Sequence, residues 1–454
     1  MFGAPAPASA PASENAAAPA SAAAPESAAP TGRDAEILSG APLMRTDVKA
    51  EVESDKTEVG GTLLLRFQGA YVTDTDAADQ PLSAPNLLDV YLDARPSERV
   101  RAFVQGRINY DATAENGRAD IPDYCTSTTP GSQNEKDCDS GRDLLAKAFA
   151  TPATSAELAQ LWLKFDIERA VYVTLGKQPI KWGAAHLWNP TDFLNRQSRD
   201  PLSQIDLRTG ASLVKIHIPW ESQTANFYAI ALLDESRRVG DVGAAARAEI
   251  GFGTTELSLS AAARRDKPLS LGGDFSTGLG AFDLYAEGAV SHGNHVPLAG
   301  QPDRSDDWIP WVSGGVGWNI DYGDSDTATW GVEYAYNNDG VSKRSLVVPA
   351  LTAGRSLFSL PRQAVGTYLL LMAPGTWNNS SIFVTGLVDL DDRSGTARFQ
   401  WSQNVLTYLS VQPYVGAYFG EKGDLFRLNI NAASTTRAPA YLTADAGVWL
   451  QVKL

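Results

Sequence analysis

The sequence predicts an all-β fold: a transmembrane, antiparallel, up-and-down β-barrel of about 18 strands, with 16 as the alternative count. Three observations predict it. After residue 60, apolar and polar residues alternate with a period of two over most of the chain, the mark of strands with one apolar face. The connections alternate between short and long, as in a barrel with tight turns at one rim and long loops at the other. No apolar run approaches the roughly 18 residues of a spanning helix; the longest are 225–233 and 368–373. A bilayer crossing therefore has to be made by strands.

Composition fits the same class. A chain of 454 residues suffices for several soluble domains or one large barrel. Its mean hydropathy of -0.20 suits strands that turn every second side chain to water. The net charge of -15 leaves no basic excess to neutralise phosphates, which excludes nucleic acid as a partner.

Taken in order, residues 1–33 are almost wholly Ala, Pro and Ser, which favours an extended, disordered tether. Residues 34–60 are charged and read as an N-terminal periplasmic segment beneath the barrel, which occupies 61–454. The opening MFGAPAPASAPAS has neither a basic n-region nor an apolar core. The expectation is that a secretory signal lies outside the numbered chain.

The first strand is TLLLRFQGAYV, with Leu63, Leu65, Phe67 and Tyr71 opposite Arg66 and Gln68. Strands two and three form a hairpin about 96–99, and four and five a hairpin about 166–169. Further strands are expected near 210–219, 225–233, 244–252, 256–264, 269–276, 282–291, 309–320, 327–337, 364–373, 381–390, 396–404, 407–419 and 441–454. Trp220, Trp318, Tyr322, Trp377 and Tyr408 lie beside short turns, and Tyr336, Tyr418 and Phe419 near the opposite strand ends. Rings at both ends are what two membrane interfaces select. Cys125 and Cys138 share one polar loop, where a disulfide fits an oxidising, extracytoplasmic compartment.

The last segment, DAGVWLQVKL, resembles the C-terminal assembly signal of Gram-negative outer-membrane proteins, with Leu454 where Phe is usual. The segment 175–195 resembles one in a broad, poorly characterised group of porin-like barrels. Gly176, Gln178, Trp182, Gly183, Asn189, Pro190, Thr191 and Asp192 carry that likeness. The resemblance implies an outer-membrane passage protein and assigns no catalytic residue.

Strand parity sends Arg66, Asp89, Asp93, Arg101, Arg107, Lys164, Lys215, Arg247, Glu249, Asp283, Glu287, Glu333 and Arg398 to the lumen. Bases dominate the early strands and acids the later ones, which predicts opposed walls and a transverse field. The loop 179–205 is the candidate constriction, with Lys181, Trp182, His186, Trp188, Asp192, Arg196 and Arg199 mixing both charges with bulky rings. The alternative is a loop packed on the inner wall for stability.

No catalytic site, cofactor or metal is expected. Only four histidines occur, and no Gly-x-Ser-x-Gly motif; neither a nucleophile–base pair nor paired acids stand out. The expected partners are small polar solutes inside and outer-membrane lipid with lipopolysaccharide outside. Oligomeric state is not legible. The function read from these features is passive or weakly selective passage through a bacterial outer membrane. A structural or partner-binding barrel and a polymer or small-molecule export barrel are the alternatives.

Overall fold

The computed structural model describes residues 56–114, 153–195, 197–234, 236–265, 267–296, 298, 302–322, 326–429 and 440–454. The proposed tether 1–33, nearly all of 34–60, Cys125, Cys138 and Arg196 lie outside them.

Eighteen long strands form one closed antiparallel barrel. They are β1 (Thr57–Val72), β2 (Pro85–Ser97), β3 (Val100–Asp111), β4 (Thr154–Ile167), β5 (Val171–Gln178) and β6 (Ala211–Trp220). Next come β7 (Ala225–Leu232), β8 (Gly243–Phe252), β9 (Thr255–Ala263), β10 (Leu269–Leu279), β11 (Phe282–His292) and β12 (Trp308–Tyr322). The last are β13 (Asp326–Asn337), β14 (Gln363–Met372), β15 (Ser380–Asp389), β16 (Gly395–Leu406), β17 (Leu409–Phe419) and β18 (Leu442–Lys453). A two-residue strand, Leu82–Ser83, is an extra edge on β1. The larger of the two expected counts holds.

Closure comes from β1 pairing with β18, from Thr62↔Lys453 to Val72↔Leu442. The seam ends on reciprocal bonds between Gly61 and Leu454, at 3.2 and 2.8 Å. No edge is left open, which is what a sheet in hydrocarbon requires.

The alternation sorts side chains as the pattern demands. Val90, Leu161, Ile216, Leu257, Val312 and Val415 are exposed on the outer face, while their neighbours Asp89, Lys215 and Tyr414 point inward. Trp220, Trp318, Trp377 and Tyr408 are exposed near the short-turn rim. Tyr418 corrects one expectation: it shares the inner face of β17 with buried Gln412 and Tyr414, and packs on the core.

Loop length follows rim, with two exceptions. The connections 264–268 and 390–394 are short although they lie at the long-loop rim. At the other rim the turn between β4 and β5 puts Glu168 and Arg169 at φ 54 and 57. Two left-handed residues closed by Ala170 N–H to Ile167 O make a tight hairpin whose twist matches its strands.

The largest hydrophobic core lies inside the barrel, on β13 to β15, beneath loops 179–210 and 338–362 and the segment 420–429. Loop 338–362 holds one α-helix, α1 (Arg344–Thr352), and a 3-10 turn (Leu357–Ser359), both absent from the sequence expectation. Its Val347 and Ala350 are buried with Trp188, Leu202 and Leu360. Tertiary burial, not helical propensity, holds so short a helix.

Candidate functional site: a loop folded into the lumen

The loop 179–210 leaves β5, crosses the interior and returns to β6. Two glycines permit the turn inward. Gly176 has φ 118, and a Cβ there would run into the Leu161 carbonyl. Gly183 has φ 98, and the Glu287 carboxylate occupies the place of its missing Cβ. Only glycine takes such a backbone at no steric cost.

Apolar side chains then pin the loop to three regions of wall. Ile180, Trp182 and Leu194 pack on Leu213, Ile230, Leu232 and Ala245 of β6 to β8. Leu187, Trp188 and Leu202 enter the core formed by Ala335, Tyr368 and Phe383 of β13 to β15. Ile205 and Leu207 rest on Leu64, Leu87, Tyr414 and Trp449 of β1, β2, β17 and β18. The loop thus lies inside the barrel and packs on its inner wall, as the alternative to a constriction has it.

Its backbone is held by two carboxylates. Glu287 accepts the Ala185 N–H at 2.9 Å and the Thr191 N–H at 3.1 Å. Glu333 accepts the N–H groups of His186, Leu187 and Trp188 at 2.9, 3.1 and 2.8 Å. An irregular segment buried away from water has no ladder to satisfy its N–H groups, and these carboxylates replace it. Trp188 adds its indole N–H to the Phe358 carbonyl at 2.8 Å.

The remaining polar residues close the loop on itself. Asn189 donates to the Ala185 carbonyl, and Asn195 to the Ile180 carbonyl and to Asp192, each at 2.6 Å. Arg208 bridges Asp192 and Asp206, both at 2.7 Å. Gly176, Trp182, Gly183, Asn189, Thr191 and Asp192 are thus among the residues that turn, fill and fasten the insertion.

His186 sits edge-on to Tyr285, ring centroids 4.7 Å apart, and Arg199 donates to its carbonyl at 3.2 Å. Burial, then the nearby Arg199 charge, push its pKa down to about 3. A histidine neutral in the fold and near 6.5 unfolded gives up stability as pH falls below 6.5 and until about 3. Between pH 7 and 4.5, thermal melting of the wild type should therefore drop more than that of His186→Phe. An equal drop in both would show that His186 does not couple the fold to pH.

All the acids and bases assigned to the lumen lie on the inner face, but most are paired or covered. Arg107 grips Asp89 through two bonds of 2.8 Å, and Arg101 grips Asp93 at 2.9 and 2.8 Å. Arg247 binds Glu249 at 2.6 Å and Asp274 at 2.6 and 3.0 Å. Arg398 meets Asp445 at 2.7 Å. Arg66 donates to the Pro85 carbonyl at 2.5 Å, and Asp283 accepts from Asn319. Lys164 lies over the Tyr172 ring.

Two expectations are corrected. Glu287 and Glu333 do not line a passage, because the loop covers them to 3% and 0% exposure. The opposed charged walls also fail: Asp89, Asp93, Glu249 and Asp274 stand among the early bases and pair with Arg107, Arg101 and Arg247, while the later acids Glu287 and Glu333 are spent on the loop. Within the loop, His186 faces the wall, Trp188 and Asp192 serve packing and ion pairing while bordering a small cavity, and Trp182 packs on β6 to β8 with one side toward a larger one. Arg199 borders a cavity of about 60 Å³ beside Trp311 and Phe358.

Lys181 does face open space. Between the loop and the wall of β1 to β8 lies a cavity of about 540 Å³, bordered by Asp89, Gln105, Arg107, Lys181, Lys215 and Glu249. Burial and the Arg199 charge push Lys181 down to about 8. Sequence reasoning missed the anchoring role of Glu287 and Glu333. The available signal was a lone acid on the inner face of AEGAV and of WGVEYAY.

No protein-family model and no curated protein matches the sequence. Solved structures do match in fold. Pseudomonas aeruginosa OccK9 (OpdG) is 10% identical at a TM-score of 0.54, covering 88% of this chain and 98% of its own. A BenF-like porin from Pseudomonas fluorescens Pf-5 is 11% identical at 0.53, covering 88% and 99%. Wzi, an Escherichia coli outer-membrane protein described as a carbohydrate-binding β-barrel involved in capsule assembly, is 11% identical at 0.50, covering 87% and 84%. At these identities the likeness shows the fold, that of outer-membrane porins.

Proposed function

We propose that the chain is a bacterial outer-membrane channel that passes small polar solutes beside its inserted loop. The carrying observation is the asymmetry of the lumen. Apolar packing fills the side of β13 to β15, whereas the side of β1 to β8 keeps a cavity of about 540 Å³ lined by amides and both charges. A polar, partly charged wall exchanges hydrogen bonds with a solute that sheds water, which lowers the cost of entering a narrow space. The apolar outer face and its rim of rings support a place in lipid, with lipopolysaccharide against the long-loop side. The porin neighbours support the same reading.

A structural or partner-binding barrel is the second reading, favoured by the three loops that interlock at the long-loop rim. Liposome swelling separates the two. Proteoliposomes should swell in pentose and amino-acid solutions, and more slowly as the solute grows. Swelling no faster than that of empty liposomes would overturn the passage reading.

A further inference from the structure

Six rings form a row on the inner wall, five of them partly open and the sixth, Tyr228, buried. They are Tyr91, Phe103, Trp162, Tyr172, His217 and Tyr228, one from each of the consecutive strands β2 to β7. Tyr91 stacks on Phe103 at 5.7 Å and Phe103 on Trp162 at 5.5 Å, with interplanar angles of 19° and 17°. Tyr172 meets His217 at 5.8 Å, and His217 stacks on Tyr228 at 4.5 Å. Between the two runs, Arg101 lies over Trp162 and Lys164 over Tyr172, each 5.5 Å from the ring centroid. Cross-strand pairing fixes this order, since Phe103 opposes Trp162, Tyr172 opposes His217, and His217 opposes Tyr228.

The row has a definite place. Along each strand it sits one step nearer the short-turn rim than the cavity residues Asp89, Gln105, Gln160 and Lys215. Tyr228, at its far end, borders the cavity itself. None of the six belongs to the hydrophobic clusters that fasten the loop, and all but Tyr228 keep part of their surface open. Structural packing alone does not call for a half-open file of rings on the wall of a polar space.

From this row we propose a track for the pyranose rings of sugars, leading from the cavity toward the short-turn rim. It deepens the passage reading above by naming a solute class. The chemistry fits in two ways. The C–H groups on one face of a pyranose are weakly electropositive and pack on the electron-rich face of an aromatic ring. Its hydroxyls both donate and accept, so they need amides and cations close by. Gln105 and Gln160 stand beside the row, bonded to each other at 2.9 Å, and Gln160 accepts the Trp162 indole N–H at 3.2 Å. Each amide still has valence to offer a hydroxyl. Arg101 and Lys164 stand 5.5 Å from the centres of the Trp162 and Tyr172 rings, so a sugar sliding along the wall meets ring and donor in turn.

The test is isothermal titration of the full chain in detergent with a linear glucose hexasaccharide. It is run beside single-channel recording with the same sugar. The wild type should bind, and the sugar should interrupt the current. The double variant Phe103→Ala/Trp162→Ala should lose at least about tenfold in affinity while still conducting salt. Trp162→Phe should retain most of the binding, and unchanged heat-modifiable mobility certifies the fold of each variant.

A galacturonate trisaccharide forms a second arm. Tighter binding of it than of the glucose oligomer would assign Arg101 and Lys164 as partners of a carboxylate on the sugar. Benzoate forms a third, and binding of benzoate alone would overturn the sugar assignment. Salt conductance without sugar binding, or binding indifferent to the double variant, would overturn the track and leave the passage reading intact. Sugar binding without conductance would do the reverse.

Discussion

Replacing Glu333 with alanine should free the middle of the inserted loop. The substitution leaves the N–H groups of His186, Leu187 and Trp188 buried without acceptors. Each such group costs about 1–3 kcal/mol. Water entering the vacated space recovers part of that, so a net loss of about 3 kcal/mol is expected in urea unfolding. The conductance should become larger and noisier, because the segment that crosses the lumen no longer has a fixed course. Glu333→Gln keeps an acceptor oxygen and should fall between. Wild-type stability and a quiet current in Glu333→Ala would show that apolar packing alone holds the loop.

Arg247→Ala should be more damaging still to stability, by about 3–5 kcal/mol. Arg247 is 6% exposed and is the shared partner of Glu249 and Asp274, both buried. It also covers the ring of Trp182 at 5.8 Å. Removing the cation strands two carboxylates in a low-dielectric wall, and that stranding, rather than the lost attraction, is the main cost. The triple change Arg247→Met/Glu249→Gln/Asp274→Asn removes all three charges and should recover most of the loss. If single and triple variants were equally unstable, lost packing on Trp182 would be the cause instead.

The barrel was legible in the sequence because its cause is local. A period of two fixes which side chains share a face, so Asp89 and Lys215 could be sent inward without knowing any partner. Height and register are not local. That Asp89 stands opposite Arg107 on the next strand depends on pairing register, which alternation alone leaves open. Opposed charged walls were therefore expected where paired charges occur.

The loop was legible in content but not in contacts. Gly176, Gly183, Asn189 and Asp192 marked it, since turns and polar closures need those residue types. Its anchors were hidden because Glu287 and Glu333 lie more than 90 positions away. Helix α1 was missed because so short a helix, with Pro349 inside it, carries little periodic signal.

Single-channel conductance of the refolded chain, recorded with and without residues 184–200, tests most directly whether the inserted loop sets the passage. A steady conductance that grows on deletion is the predicted result. Variant folding is checked by heat-modifiable mobility, with Glu333→Ala as a second route to a released loop. No conductance from the folded wild type or from either variant would contradict the channel and leave the structural or partner-binding barrel as the better reading.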